Sequence, residues 1–336
     1  MREALFIKKN ADKWQEHQHQ PTDDPDEQAE RFITILDDLA YSKTFYPQSK
    51  VTRWINGIAA GTYQKIYQNK KEKYSRLGSF WKTELPMVMY KHRNVLYFTF
   101  GLFLLFVGLA VWSSIQDFNF MRNLMPGLVE RTEKGIEDKD PFGYYRDNDK
   151  FTMFAQITFN NILVSFIPFA GGITFGLVTT WNLFNNSMML GVFQYMHFAQ
   201  GIGWESVLVI WIHGAIEIPS FVLAAMSGYI VAKGLLFKGT FSWKDSLMRS
   251  MKDAIKLIIA LIPLFCIAGF FESNVTYLSS NAFDNTANTS LPVWASILIL
   301  VSSLSFMVWY FAIYPLKVAK TQAALMADAL PQLMTA

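Results

Sequence analysis

The sequence predicts an all-α fold: a polytopic helical membrane bundle of about six transmembrane helices, preceded by an N-terminal cytoplasmic helical region. Three observations carry this expectation. The chain is 51% hydrophobic and only 17% charged over 336 residues, below the charge level of ordinary soluble domains. Uncharged runs long enough to cross a bilayer recur through the second part of the chain, separated by short polar stretches. The first 93 residues are instead polar and mixed, with apolar positions at helical spacing.

In that front region Phe32, Ile35, Leu36 and Leu39 form one stripe, and Val51, Trp54, Ile55, Ile58 and Ile66 another. Pro21 and Pro25 bracket a turn and cap at Thr22-Asp23-Asp24, and Pro47 separates the second helix from the third. Each stripe needs a cover, so residues 1–93 should form a small helical bundle. His17 and His19 stand two apart in a Gln-rich patch, which reads as solvated surface. No early apolar core or cleavage-like site is present, so insertion is expected to start at an internal helix. Residues 65–93 hold eight Lys or Arg against two acids, Glu72 and Glu84. Placed directly before the first span, they mark this side as cytoplasmic.

The bundle is expected over residues 94–316. Its first span is 95–114, followed by a polar outer loop at 115–150 with turns at Pro126-Gly127 and Pro141-Phe142-Gly143. A long apolar block then divides into spans near 156–180, 184–199 and 205–236, with breaks at Pro168 and Gly171-Gly172, at 181–186 and at 200–205. The third piece exceeds the roughly 20 residues a crossing needs, so it should kink at Pro219 or project into the cytoplasm. Lys238, Lys244, Arg249, Lys252 and Lys256 fix an inner loop. Spans at 254–271 and 293–314 follow, joined by an outer loop at 273–291 without Lys or Arg. Residues 317–336 form a cytoplasmic tail. Six crossings leave both termini inside; four crossings plus a re-entrant hairpin is the other count that fits.

The polar residues within these apolar runs are the candidate site. Polar groups at membrane depth must pair with one another or face water. His213 and Glu217 are four apart on one helix face. Pro219 frees the carbonyl of Ala215 beside them, just as Pro168 frees that of Val164. Asn160 and Asn161 line a cavity or cap a helix, as do Asn185 and Asn186, with capping the simpler reading for the second pair. Glu272 ends the fifth span, where exposure at the outer interface is expected, with pairing to His213 or an Asn as the alternative. Gly171, Gly172 and Gly176 serve close packing or an unwound turn; Gly172-Gly176-Thr180 and Ala224-Gly228-Ala232 are small-residue stripes. The pair His213 and Glu217 supplies two ligands, which is not a zinc site, and His197 is the other intramembrane histidine. No HExxH, GxSxG or Ser/Lys dyad occurs, so neither an enzyme, a metal nor a cofactor is expected. Cys266 is the single cysteine, so one chain has no disulfide framework.

An ordered set of motifs adds to this. Arg2-Glu3 with Trp14 opens it, followed by Ile55-Asn56-Gly57-Ile58 running to Tyr63 and Tyr67. Phe159-Asn160-Asn161-Ile162 comes next, with Phe169-Ala170-Gly171-Gly172 and Gly176. The set continues through Asn185-Asn186-Ser187 with Leu190-Gly191, and His213-Gly214-Ala215-Ile216-Glu217. It ends at Ala268-Gly269-Phe270-Phe271-Glu272. Together these resemble the stage II sporulation protein M family of integral membrane proteins, over nearly the whole chain. Asn186-Ser187 stands where the family often has Asn-Gly, and residues 115–150 match least.

The resemblance implies a partner-dependent role in a bacterial inner membrane. The sporulation member acts with a cell-wall hydrolase and a second membrane protein. Relatives elsewhere are often encoded beside an AAA+ ATPase, a von Willebrand-type domain protein or another multi-spanning protein. The family supplies no established catalytic residue or substrate. Three functions follow: a non-enzymatic component of a cell-envelope assembly, an ion- or small-solute-conducting bundle using His213 and Glu217, and an intramembrane metal-dependent hydrolase. The expected partners are the lipid bilayer and other membrane or cytoplasmic proteins, with no nucleic acid. The small-residue stripes suit packing within one chain or between copies, so a homo-oligomer stays open.

Overall fold

The computed structural model describes residues 3–19, 22, 24–67, 75–138, 149–283 and 290–334. Arg2, Pro21, Asp23, the basic run Lys70, Lys71 and Lys73 with Glu72, and the Pro141-Phe142-Gly143 turn lie outside the described residues. Every regular element among those described is helical. The chain forms two compact units, Met1–Arg76 and Leu77–Ala336.

The first unit contains α1 (Glu3–His19), α2 (Pro25–Phe45) and α3 (Lys50–Tyr67). Its core gathers Phe6, Trp14, Ile35, Leu39, Val51, Ile55, Ile58 and Ala59. Trp14 is fully buried, and its indole N–H donates to Asp38 Oδ2 at 2.8 Å, so burial of the ring leaves no polar orphan. Thr22 starts α2 as expected: its hydroxyl accepts from the Asp24 N–H and donates to Glu27. Those contacts, with Arg31 next in importance, hold the Glu27 carboxyl below the usual carboxylate range. Leu36 departs from its predicted stripe and is exposed, because the buried face of α2 is centred on Ile35 and Leu39. His17 departs as well. Instead of a solvated face it lines a surface cavity of about 450 Å³ with Arg53, Trp54 and Gly57. Burial, then the charges of Arg31 and Lys13, push its imidazole below the ordinary histidine value.

The second unit follows a short α4 (Ser75–Ser79). A π-turn at Phe80–Glu84 leads into α5 (Leu85–Lys91), and α6 (Arg93–Gln116) is the first long helix. Then come α7 (Phe118–Leu124), α8 (Pro126–Glu137), α9 (Lys150–Gly171), α10 (Leu177–Ala199) and α11 (Gly203–Leu236). The chain closes with α12 (Trp243–Phe271), α13 (Tyr277–Ser280), α14 (Val293–Val308) and α15 (Tyr314–Met334). Five stretches are long and apolar enough to cross a membrane: Arg93–Gln116, Lys150–Thr174, Gly203–Leu236, Trp243–Ser280 and Val293–Leu325. The sixth long helix, α10, packs against α6, α9 and α11, and its apolar run is interrupted by Asn182, Asn185, Asn186, Gln194 and His197. Large apolar side chains cover the outside of these helices, among them Leu105, Phe159, Ile259, Leu298 and Val301. Such a surface is stable only against lipid.

The middle block breaks at Gly171-Gly172 and within 200–205, as expected, but not at 181–186, which lies inside α10. Helix α9 ends in a 3-10 turn at Gly172–Thr174, and Phe175 and Gly176 take positive φ values of 56° and 85° before α10 begins. The left-handed pair, completed by glycine, reverses the chain. Asn185 and Asn186 therefore sit mid-helix and cap nothing. Pro168 does not end α9; its carbonyl accepts from the Thr179 hydroxyl at 2.7 Å across the turn. Helix α11 likewise runs unbroken through Pro219. At 1.5 Å per residue its length is about 51 Å, so it projects beyond the bilayer instead of breaking within it.

Glycine stripes pack α9 and α10 onto α11. A Cβ on Gly172 would stand 2.3 Å from the Gly228 carbonyl oxygen, and one on Gly228 would stand 2.0 Å from that of Pro168. Gly176 abuts Tyr229 and Ala232. The two small-residue stripes are thus a contact within one chain.

Three loops or tails are more ordered than expected. Residues 115–138 are two short helices whose Met121 and Val129 bury against Met188, Val192 and Met196 of α10. Asp117 caps the first by accepting from the Asn119 N–H, and Pro126 opens the second. Residues 272–283, expected as the start of an outer loop, continue α12 through a π-turn at Glu272–Thr276 into α13. The Ser279 hydroxyl donates to the Leu208 carbonyl at 3.0 Å, docking this extension on α11. The last span extends through a π-turn at Trp309–Ile313 into α15, where a free tail was expected.

One end of the bundle collects the basic residues. Lys256 pairs with Glu84, and Lys91 and His92 both contact Asp253. Tyr310 and Tyr314 donate to the carbonyls of Trp81 and Lys82 at 2.7 and 3.1 Å. The segment 77–91 is therefore bound to α12 and to the last helix, well beyond its role as a basic flank.

Candidate functional site

Helices α9, α10 and α11 line a half-open cavity of about 430 Å³. Its polar lining comes from Asn160 and Asn161 on α9, Asn186 on α10, and His213 and Glu217 on α11. Helical spacing explains the last pair, since residues four apart share a face. Glu217 lies fourteen residues into α11, about 21 Å along its axis, which places it well inside a hydrocarbon core of about 30 Å. Apolar lining comes from Phe103, Leu190 and Phe221, with Leu128 of α8 at one wall.

Glu272 joins His213 and Glu217 from α12. One ligand-capable atom of each lies within 4.8 Å of the others. Of the two positions expected for Glu272, the outer interface or beside His213, the structure has the second. Glu272 still donates its N–H to the Ala268 carbonyl and so continues the register of α12, whereas the π-turn that follows adds a residue to one helical turn and carries Thr276 toward α11. The Thr276 hydroxyl and His213 Nδ1 are 3.0 Å apart, which orients the buried imidazole. Asn161 lies against the Glu217 carboxyl, and its buried Nδ2 makes no well-formed hydrogen bond. No Lys or Arg stands beside either carboxylate among the described residues. If both were ionised at that separation they would repel by at least about 3 kcal/mol at an effective dielectric near 20. A cation, a proton or a metal ion, is the economical solution to that repulsion.

Asn185 does not reach this cavity; it is half-buried on α10. His197 is buried with Nδ1 2.9 Å from the Phe193 carbonyl of its own helix, away from the cluster. Sequence reasoning missed Thr276 as a partner of His213. It also missed Gln194, which donates to Ser206 at 2.8 Å and accepts from Trp211 at 3.3 Å, tying α10 to α11. Only their polarity in apolar surroundings could have signalled them.

The family model of Stage II sporulation protein M matches residues 98–277, more than half of the chain and all of the cavity-lining residues named above. The chain belongs to the Stage II sporulation protein M family. A separate match, to a domain of unknown function (DUF8413), covers residues 4–68. The resemblance assigned to Trp14 and Ile55-Asn56-Gly57-Ile58 therefore falls under a different domain from the Stage II sporulation protein M region. The chain is similar to Uncharacterized protein MJ0793 of Methanocaldococcus jannaschii, 33% identical over 143 residues, 42% of this chain and 79% of that protein. It is also similar to Uncharacterized protein MJ0706 of the same organism, 25% identical over 185 residues, 54% of this chain and 78% of that protein. No solved structure matches the chain. This member of the family is a multi-pass membrane protein in contact with the lipid bilayer.

Proposed function

We propose that the protein is a non-enzymatic membrane bundle that takes a cation or small polar solute into the cavity between α9, α10 and α11. The convergence of five polar side chains from three helices on one cavity at membrane depth carries this reading. Intramembrane ionisable residues that face a bundle interior are functional-site candidates by default, because lipid penalises them unless they serve a pathway or a pairing. The basic end formed by Lys82, Lys91, Arg93, Lys256 and Lys317 is cytoplasmic by the positive-inside rule, and with α10 as a sixth crossing beside the five apolar stretches both termini lie on that side. The relatives named above are archaeal, so the proposed location is a prokaryotic plasma membrane rather than specifically a bacterial one.

In proteoliposomes containing a pH dye and a divalent-cation indicator, the wild-type chain is expected to carry protons or Mn²⁺ down an imposed gradient. Glu217→Gln should reduce that flux at least tenfold while the variant still elutes as a folded protein. Equal flux in wild type, variant and empty vesicles would remove the reading.

A second reading, component of a cell-envelope assembly, is favoured by a different observation. The first unit has its own core yet exposes Leu5, Ile33, Phe45 and Tyr63. A partner that covers these side chains would bind through the first unit. Recovery of the chain alone, in a detergent that preserves other membrane complexes, would count against it.

A further inference from the structure

We infer that His213, Glu217 and Glu272 form a site for one divalent transition-metal ion of the Zn²⁺ class. The inference rests on the reading of the bundle as a cation-accepting one and names the cation.

Geometry comes first. The three candidate ligand atoms lie within 4.8 Å of one another. A tetrahedral zinc ion holds imidazole nitrogen and carboxylate oxygen at about 2.0–2.2 Å, so bound ligand atoms stand about 3.3–3.6 Å apart. Closing the remaining gap of up to about 1.5 Å requires rotation of the two glutamate side chains toward the imidazole. Two ligands come from α11, and the third, Glu272, comes from the C-terminal end of α12, where its N–H still donates to the Ala268 carbonyl. His213 and Glu217 alone would be a helix-surface pair; with Glu272 they become three ligands converging from different directions.

Charge points the same way. Two carboxylates share a site deep in the unit, with no Lys or Arg beside them among the described residues. A divalent ion neutralises both at once. A proton shared between them would leave one negative charge at membrane depth, which is costly there.

The donor set selects the class of metal. One imidazole with two carboxylates suits zinc and its neighbours, whereas Ca²⁺ takes six to eight oxygens and Mg²⁺ keeps several waters. Thr276 meets the usual requirement for a partner on the ligand histidine: its hydroxyl holds Nδ1, so Nε2 is the ligand nitrogen. Three protein ligands leave a coordination position open, and His213 and Glu217 both border the cavity, where Asn161 stands beside the carboxyl.

The full chain, without a histidine tag, would be purified in detergent, stripped with chelator and titrated with Co²⁺ as an absorbing substitute for Zn²⁺. One Co²⁺ per chain is expected, displaced by Zn²⁺. His213→Gln, Glu217→Gln and Glu272→Gln should each weaken binding at least tenfold without changing elution or the thermal midpoint in chelator. X-ray absorption of Zn²⁺-loaded wild type needs no variant and should show one imidazole among oxygen ligands. Sulfur in that shell, absence of Co²⁺ binding, or binding unchanged in folded variants would overturn the site. Wild type that binds no Co²⁺ but carries protons through Glu217 would overturn the metal and keep the cavity reading. Wild type that binds Co²⁺ without any flux would keep the metal and remove the conduction reading.

Discussion

Gly228→Ala is expected to destabilise the bundle by roughly 3 kcal/mol or more, at the upper end of what overpacking costs. The added methyl would stand 2.0 Å from the Pro168 carbonyl oxygen and 2.5 Å from Thr179 Oγ1. Neither obstacle is the far end of a flexible chain. One is backbone, and the other is held in place by its hydrogen bond to that same backbone oxygen. Relief would require α9 to move off α11, and that movement would also open the reciprocal contact at Gly172. Gly108→Ala is the control: nothing lies within 4 Å of its added Cβ, and alanine is the better helix former. The thermal midpoint of each variant in detergent decides the matter. A large fall for Gly228→Ala beside an unchanged Gly108→Ala is the expected pattern; equal midpoints would show that the crossing is looser than described.

Trp14→Ala should cost the first unit about 3–5 kcal/mol, the usual penalty for emptying a large aromatic site. The indole is fully buried, with Phe6 tilted against it at 5.2 Å and Trp54 edge-on at 5.7 Å. Truncation also removes the donor to Asp38, which keeps only its pairing with Lys13. A unit of 76 residues has a total stability of the same order, so a substantial fraction should be unfolded. Brief trypsin treatment of the full chain should cut within residues 1–76 in the variant and leave 77–336 as resistant as in wild type. Resistance unchanged across the first unit would contradict the assigned core.

Much of this was legible in the sequence. Apolar runs of crossing length gave the all-helical membrane class, and the period of 3.6 put Ile35, Leu39, Ile55 and Ile58 in one core. His213, Glu217, Asn160, Asn161 and Asn186 stood out because polar groups are costly at membrane depth, and the structure brings all five to one cavity. What stayed hidden has a common physical cause. A π-turn leaves no mark in composition, so the direction of Thr276 could not be read from residue types. Residues 181–186 are polar enough to suggest a second break, but they continue α10, and the glycine at 176 with positive φ decides where the chain reverses. Met121 and Val129 are isolated apolar residues in a charged segment, and only the presence of α10 shows what they cover.

A cation site at His213 and Glu217 requires that water reach the cavity between α9, α10 and α11. Asn186→Cys, in a Cys266→Ser background, tests this directly with a small, charged, water-soluble methanethiosulfonate reagent, because a thiol reacts with it only where water reaches. Leu105→Cys, on an outward face of α6 against lipid, is the comparison. Rapid modification at 186, slowed by His213- and Glu217-occupying Zn²⁺, beside an inert 105, is the predicted result. Modification at 186 as slow as at 105 would contradict it.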